Sequence, residues 1–481
     1  MLTGAVQEVA GDGFEAEASP DGRQIVYVDG TSREIRVAGV QGDSPRTIFR
    51  TVDGEIVASV HWLPGGNRIG YLRGKDGEAA AAIETRDVSG GDPRHVMDTT
   101  SESIAFTADA HVLYTEKDRD TGQSVSLWMA ALERQTGAAA GAPAKLAVWQ
   151  GVVSTGGLTA SADGRRVAFT KTFSQADVHV LALQGDGALR RLTTDTLIDW
   201  PTGWSLDGSS FFFVSNRNGR LQAFRQGTAE ETPEPLAAGD GHVRSPQVTA
   251  DGKWIVYLEL ATKPGTARVM RMPSGGGPAE QVLALASSVA TSTVGYWAAA
   301  PGAAGTGARS IPDIRCPRLA SSCVVAEMRT DAAGKNRVVL SAFDPAGGRP
   351  HEVAELAAAI PGLTFWDVSP DGSMVASGEF DWGGGDRITV ERLGKGEKRT
   401  IQLRDFKNVS DIAWAADGRS LFATANTVRG GQLLRVSLDG SARLLRTFES
   451  LNLANPRPSP DGRSLLVGVV EANSNAWIIE R

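Results

Sequence analysis

The sequence predicts an all-β fold, a β-propeller of four-stranded antiparallel blades with about ten repeats. Three observations predict it. An Asp-Gly turn motif returns at intervals near 44 residues along the 481-residue chain, each copy sits between short apolar strands, and the last repeat lacks a strand that the first residues could supply.

The motif is Ser19-Pro20-Asp21-Gly22-Arg23, and it returns as Ser369-Pro370-Asp371-Gly372 and Ser459-Pro460-Asp461-Gly462-Arg463. Looser copies run from Ser161 to Arg165, Ser205 to Gly208, Thr249 to Lys253 and Ala415 to Arg419, with degenerate ones at Leu63 to Gly66 and Thr107 to Asp109. Taking Asp21, Gly65, Asp109, Asp163, Asp207, Asp251, Asp371, Asp417 and Asp461 as equivalent, the steps are 44, 44, 54, 44, 44, 120, 46 and 44. The step of 120 has room for one further copy, and Asp313 to Glu327 fits it, which makes ten. An Asp side chain accepts backbone N–H groups two residues on, and Gly supplies the positive φ of a tight hairpin. An Asp repeated in every unit therefore reads as a turn former rather than an acid catalyst or metal ligand. The residues just before the motif (Ala18, Trp62, Phe106, Ala160, Trp204, Val248, Val368, Trp414) read as inter-blade packing positions.

Each unit has the same plan. A short strand such as Ser410 to Trp414 precedes the turn and another, Ser420 to Thr424, follows it; a polar loop leads to a third (Gln432 to Ser437) and a Gly turn to a fourth (Ala442 to Thr447). Strands of about five residues divided by Asp, Gly and Asn turns indicate antiparallel sheet. The final unit has its first strand near Asn455 to Pro458, its second at Ser464 to Val470 and its third at Asn475 to Glu480, with no fourth. Ala5 to Ala10 lies where a fourth strand belongs, so the N-terminal strand is expected to close the propeller and hide its open edges. One array over residues 1–481 is the preferred organisation; two smaller propellers divided near 293–312, a stretch rich in Ala and Gly, are the alternative.

Composition narrows the function. The charge of 49 minus 56, or −7, and the absence of a Lys/Arg run disfavour nucleic-acid partners. No stretch of 18 or more apolar residues occurs, so membrane insertion by this chain is not expected, and Met1 to Gly13 lacks the pattern of a secretory signal. That leaves a cytoplasmic protein, or a piece of a longer chain with its targeting segment upstream. Cys316 and Cys323 flank a hairpin-like turn and are either two buried thiols or a cross-strand disulfide of an oxidising compartment. The six histidines show no close pairing, so no metal is expected.

Ser-Pro-Asp-Gly-Arg followed by an apolar strand, together with Val214-Ser215-Asn216-Arg217-Asn218-Gly219-Arg220, resembles the TolB-type (WD-repeat-like) β-propeller. Such rings bind partners, gate peptidases or sense ligands. The Cys316/Cys323 pair, Ser341 to Pro345, Trp366 to Gly372 and Asn475 to Ile479 resemble the propeller of certain bacterial multidomain sensors. In those, a cytoplasmic Ser/Thr kinase or winged-helix domain precedes a single membrane span and an outer propeller. The resemblance implies a periplasmic sensor domain in signal transduction. No kinase or winged-helix motif occurs here, so neither activity is assigned to this chain.

No catalytic residue is identified. Gly203-Trp204-Ser205-Leu206-Asp207 departs from the nucleophile elbow at its last position, and Asp118 to Gly122 starts like a calcium loop but lacks the later Glu. The reading is a non-catalytic binding module without a cofactor that takes a protein or small molecule at one rim; a peptidase-gating propeller or channel-site hydrolase or lyase is the alternative. Loops between blades and between second and third strands supply the candidates Trp200, His242, Arg244, Arg217, Trp382, Phe406 and Asn408, since Trp and Arg dominate binding hot spots.

Overall fold

The computed structural model describes residues 9, 11 and 13–480, apart from 76–80, 102, 118–123, 151, 162–164, 186, 196, 219, 238–240, 261–266, 286–311, 331–335, 357–363, 380–384 and 428. Its regular elements are 37 strands, and no helix occurs among the described residues. Eight antiparallel sheets of four strands follow chain order, at 13–50, 55–99, 104–150, 199–237, 242–285, 313–356, 364–402 and 409–449. With the motif copies numbered from the amino terminus, these are blades 1, 2, 3, 5, 6, 7, 8 and 9.

Local chemistry explains the turns. Ser369 Oγ donates to Asp371 Oδ1 (2.6 Å), which also accepts the Ser373 N–H (3.1 Å), and the Met374 N–H donates to Ser369 Oγ (2.9 Å). Ser19–Asp21, Ser205–Asp207, Thr249–Asp251 and Ser459–Asp461 repeat the first bond. These bonds favour the carboxylate, and they take Asp207 down to about 2. The motif glycine must also accept a neighbour. Gly418 and Gly208 have φ of +66° and +72°, and Pro370 and Pro460 of the preceding blade lie 3.7 and 3.6 Å from where a Cβ would stand. The turn-forming reading of the repeated Asp holds at these copies; the copy at Asp163 lies outside the described residues.

The remaining sheet has five strands, in the order Val152–Ala160, Arg166–Ala182, Ser464–Glu480 and Asn452–Pro458, with Leu189–Arg191 also paired to Arg166–Ala182. Two of these strands are 17 residues long and contribute to both of the compact units into which the chain divides, residues 1–173 with 474–481 and residues 174–473. In the first unit Val152–Ala160 pairs with Val167 to Phe173, giving blade 4. In the second, Asn452–Pro458 pairs with Leu465 to Val470, and His179 to Leu181 pairs with Leu189–Arg191, giving blade 10.

Two expectations are corrected. Ser464–Val470 and Asn475–Glu480 are not successive strands of a hairpin but one strand, Ser464–Glu480. Glu471 to Ser474 continue the strand without a break, and Thr172 Oγ1 bonds Ser474 Oγ (3.1 Å) alongside them. The division also does not fall at 293–312. Blades 6 and 7 on either side both belong to the second unit, joined by a core of Val256, Leu258, Val269, Ile314, Val325 and Phe343. Closure by Ala5 to Ala10 lies outside the described residues, save Val9.

In the first unit apolar clusters join blades 1 to 2, 2 to 3 and 3 to 4. In the second unit they complete a circuit. Cores join blade 10 to 5, 5 to 6, 6 to 7, 7 to 8, 8 to 9 and 9 to 10. A blade packed on both faces needs strands apolar on both faces, and Phe211-Phe212-Phe213-Val214 is such a strand, buried throughout. The second unit is a closed six-bladed ring, and its blade 10 joins the chain's last strands to strands from its middle.

Candidate functional site

The first strand of each blade lies at one edge of its sheet, and in the second unit these strands meet their neighbours around the ring. They are Asp199–Trp204, His242–Val248, Asp313–Arg315, Thr364–Val368, Val409–Trp414 and Asn452–Pro458, and they line its channel. Several carry a bulge. Ser245 and Asn455 sit at φ +51°, three residues before their strands end, as Glu15 and Ser59 do in the first unit. Such a conformation in a non-glycine residue costs about 1–2 kcal/mol and withdraws an N–H from the ladder.

The preceding blade supplies a partner for the freed groups. Asp411 Oδ2 accepts the Asn455 N–H (2.9 Å), and Asp367 Oδ2 accepts the Trp414 N–H (2.8 Å) while its carbonyl accepts the Trp414 indole (3.1 Å). Elsewhere around the ring, Arg457 Nε donates to the Thr202 carbonyl (3.0 Å), as does Gln247 Nε2 (2.7 Å), and Ser245 Oγ donates to Asp313. Arg315 Nε then bonds Asp367 Oδ1 (3.0 Å). A polar link therefore crosses every junction between adjacent blades. The pattern repeats in the first unit, where Glu17 accepts the Trp62 N–H (2.7 Å) and Ser59 Oγ accepts the Ile104 N–H (3.0 Å).

These links explain how charged side chains are accommodated near the axis. Burial works against the Arg315 charge, but Asp313 and Asp367 outweigh it and hold the guanidinium above its usual range. Arg315 Nη2 lies 2.8 Å from Asp313 Oδ2 without hydrogen-bond alignment, so that contact is ionic; Nη1 supplies the directed bond (3.0 Å).

The two ends of the channel differ. At the turn end, the hairpin of blade 7 carries a Cys316–Cys323 disulfide in place of the usual motif. Register equates Cys316 with Ser369 and Cys323 with Met374, so the covalent bond joins the two positions that a hydroxyl-to-amide bond joins in blade 8. The loop it closes reaches over its neighbours. The Leu319 N–H donates to the Pro370 carbonyl of blade 8 (2.8 Å), and Arg318 Nη1 donates to the Pro460 carbonyl of blade 10 (2.7 Å). Blade 10 stands three places from blade 7 in a ring of six, so Arg318 crosses the channel's end.

At the other end, first strands begin beside the loops between second and third strands: the Val243 N–H donates to the Leu221 carbonyl (2.7 Å), and the Leu221 N–H to His242 Nδ1 (3.2 Å). Here burial, then the charges of Arg244 and Arg220, lower the His242 pKa. The side chain of Arg244, two residues along the same strand, makes no hydrogen bond or ion pair with any described residue. It is only partly exposed, and burial takes its pKa down to about 10 against the opposing field of Asp313.

Residues 139–292 match the family model described as TolB beta propeller domain. The fold is a β-propeller, and over the matched residues it is of the TolB type. TolB of Acinetobacter baumannii is 13% identical, with a TM-score of 0.32 over 85% of this chain and 81% of that one. A chain of the nidogen/laminin complex is 9% identical, with a TM-score of 0.39 over 62% of this chain and 98% of that one. The tricorn protease is 12% identical, with a TM-score of 0.26 over 97% of this chain and 49% of that one. An uncharacterized protein of Agrobacterium fabrum, Atu1656, is 25% identical over 122 residues; the match spans 25% of this chain and 41% of that protein.

Within this propeller the candidates separate. Arg217 is engaged by Asp195 (2.8 Å), Asp199 (3.2 Å) and Ser215 Oγ (3.0 Å), and its guanidinium lies over Phe224. Trp200 is on the first strand of blade 5, not in a loop, packed with Ala176, Ile198 and Val470 and lying so close to Gly468 that a Cβ there would be 2.9 Å from the ring. Phe406 packs on the core between blades 8 and 9, and Asn408 holds a left-handed turn whose carbonyl accepts the Asn426 N–H (3.1 Å). His242 and Arg244 share a first strand, and Trp382 lies outside the described residues. Sequence reasoning passed over Asp367, Asp411, Asp313 and Arg315. Their signal is a charge inside an otherwise apolar first strand, as in Phe365-Trp366-Asp367-Val368.

Proposed function

We propose that the chain is a non-catalytic binding module, the ligand- or protein-sensing part of an exported bacterial signalling protein. In this reading a partner is received where the second unit's first strands begin. The observation that carries it is how the channel's polar groups are used. The carboxylates and hydroxyls described above are committed to links between blades, whereas Arg244, at the end away from the disulfide loop, has no described partner. The disulfide supports export to an oxidising compartment, where such bonds persist. Among the described residues no helix is long and apolar enough to cross a membrane, and no cluster of three metal-binding side chains occurs.

Hydrogen–deuterium exchange of the full chain with and without clarified envelope extract tests this reading. Slowed exchange at 215–222 and 242–248, with outer strands unchanged, is the expected result. Protection confined to outer strands would refute it, as would turnover of peptide, ester or glycoside substrates.

A further inference from the structure

We infer that Arg244 anchors an anion site, at which the second unit's channel takes a ligand through a carboxylate or phosphate group. The inference rests on the reading of this channel end as the binding end, and it adds the chemistry of what binds there.

Arg244 carries a charge without a described partner. A guanidinium offers five N–H donors in a planar fork suited to carboxylate or phosphate, and that of Arg244 is partly shielded from solvent and open to a ligand. Other arginines near the axis are satisfied. Arg315 has Asp313 and Asp367, Arg457 has the Thr202 carbonyl, and Arg217 has Asp195 and Asp199. Arg244 has none of these. The nearby Asp313 already accepts from Ser245, from its own neighbour Ile314 N–H (2.9 Å) and from Arg315.

The surroundings select for negative charge. His242 and Arg220 lie close enough to Arg244 for the two arginine charges to bear on the imidazole, so three basic groups share this corner. His242 Nδ1 is used by the Leu221 N–H, which fixes the ring and leaves Nε2 as its remaining polar atom. A compact anion would occupy the guanidinium fork, with the positive charge of Arg220 nearby. Since the disulfide loop crosses the opposite end, the approach is from the side of Arg220 and His242.

The test uses the full chain at low ionic strength, with thermal unfolding and titration calorimetry. Inorganic phosphate and succinate are the two probes, and sodium chloride at matched ionic strength is the control. The expected result is saturable stabilisation by at least one probe beyond that of chloride. Phosphate alone would identify a phosphoryl ligand, and succinate alone a carboxylate. Arg244→Gln should weaken binding at least tenfold, and Arg244→Lys, which keeps charge but loses the fork, should fall between. Without anion, Arg244→Gln should melt no lower than wild type, because it removes no described side-chain hydrogen bond or ion pair. Three results would overturn the inference: no protection beyond chloride, equal protection of Arg244→Gln, or a markedly lower Arg244→Gln midpoint without anion, which would make Arg244 a structural group. Protection of 215–222 and 242–248 by envelope extract alongside any of these would leave the binding reading standing and remove only the anion.

Discussion

Replacing Asp411 by Ala should weaken the second unit more than any exposed turn substitution. Asp411 is fully buried, with Oδ1 accepting the Ile412 N–H (2.8 Å) and Oδ2 the Asn455 N–H (2.9 Å). The second donor exists because Asn455 sits in a bulge at φ +51° and does not pair in its own ladder. Alanine removes the acceptor of both and leaves the buried Asn455 N–H without its carboxylate, at about 1–3 kcal/mol. Asn retains one acceptor oxygen and should lose about half of that. Asp417→Ala removes an exposed turn bond to the Arg419 N–H (2.9 Å) and an exposed ion pair with Arg435 (3.5 Å), and should cost under about 1 kcal/mol. Urea unfolding followed by tryptophan fluorescence reads the differences, with Trp414 at the next junction as a local reporter. An Asp411→Ala variant within about 1 kcal/mol of wild type, or indistinguishable from Asp417→Ala, would refute the inter-blade links as stability determinants.

Further outcomes follow from other contacts. Burial pushes the Asp177 carboxyl up to about 6, with the Asp199 and Asp195 charges adding to the shift and Arg191 opposing it. The native state then holds a proton the unfolded chain has released between pH 4 and 6, so stability should fall as pH rises through that window, by up to about 3 kcal/mol. Asp177→Asn should flatten that slope in melts taken across the window; an unchanged slope would contradict it. Replacing both Cys316 and Cys323 by Ser should cost about 2 kcal/mol through the freed loop, and should expose the peptide bonds around Leu319, already 69% exposed, to limited proteolysis. Gly468→Val should lower the unfolding midpoint by several degrees, because its side chain would enter the space of the Trp200 ring.

The blades were legible because their turns are local. Ser-Pro-Asp-Gly carries its own hydrogen bonds within five residues, so ten copies and the all-β class could be read without knowing any partner. What joins blades was less legible. Asp367 and Trp414 are 47 residues apart, and nothing local to either shows that the carboxylate meets the other's N–H. The two 17-residue strands were misread for a related reason. Glu471 to Ser474 reads as the turn between two strands, yet the strand runs on through it, with Thr172, 302 residues earlier, bonded to Ser474. Among the candidate residues, the sequence could not separate Arg217, which is paired with two carboxylates, from Arg244.

The most direct test of the account is to watch the Arg244 guanidinium itself. With arginine-selective 15N labelling of the full chain, and the Arg244 side-chain Nε–Hε signal assigned through Arg244→Lys, phosphate or succinate is titrated at constant ionic strength. The account predicts that the Arg244 signal moves saturably with at least one of the two anions while those of Arg315 and Arg457, already bonded within the ring, stay in place. An Arg244 signal that does not respond to either anion, or a uniform drift of all arginine signals, would contradict it.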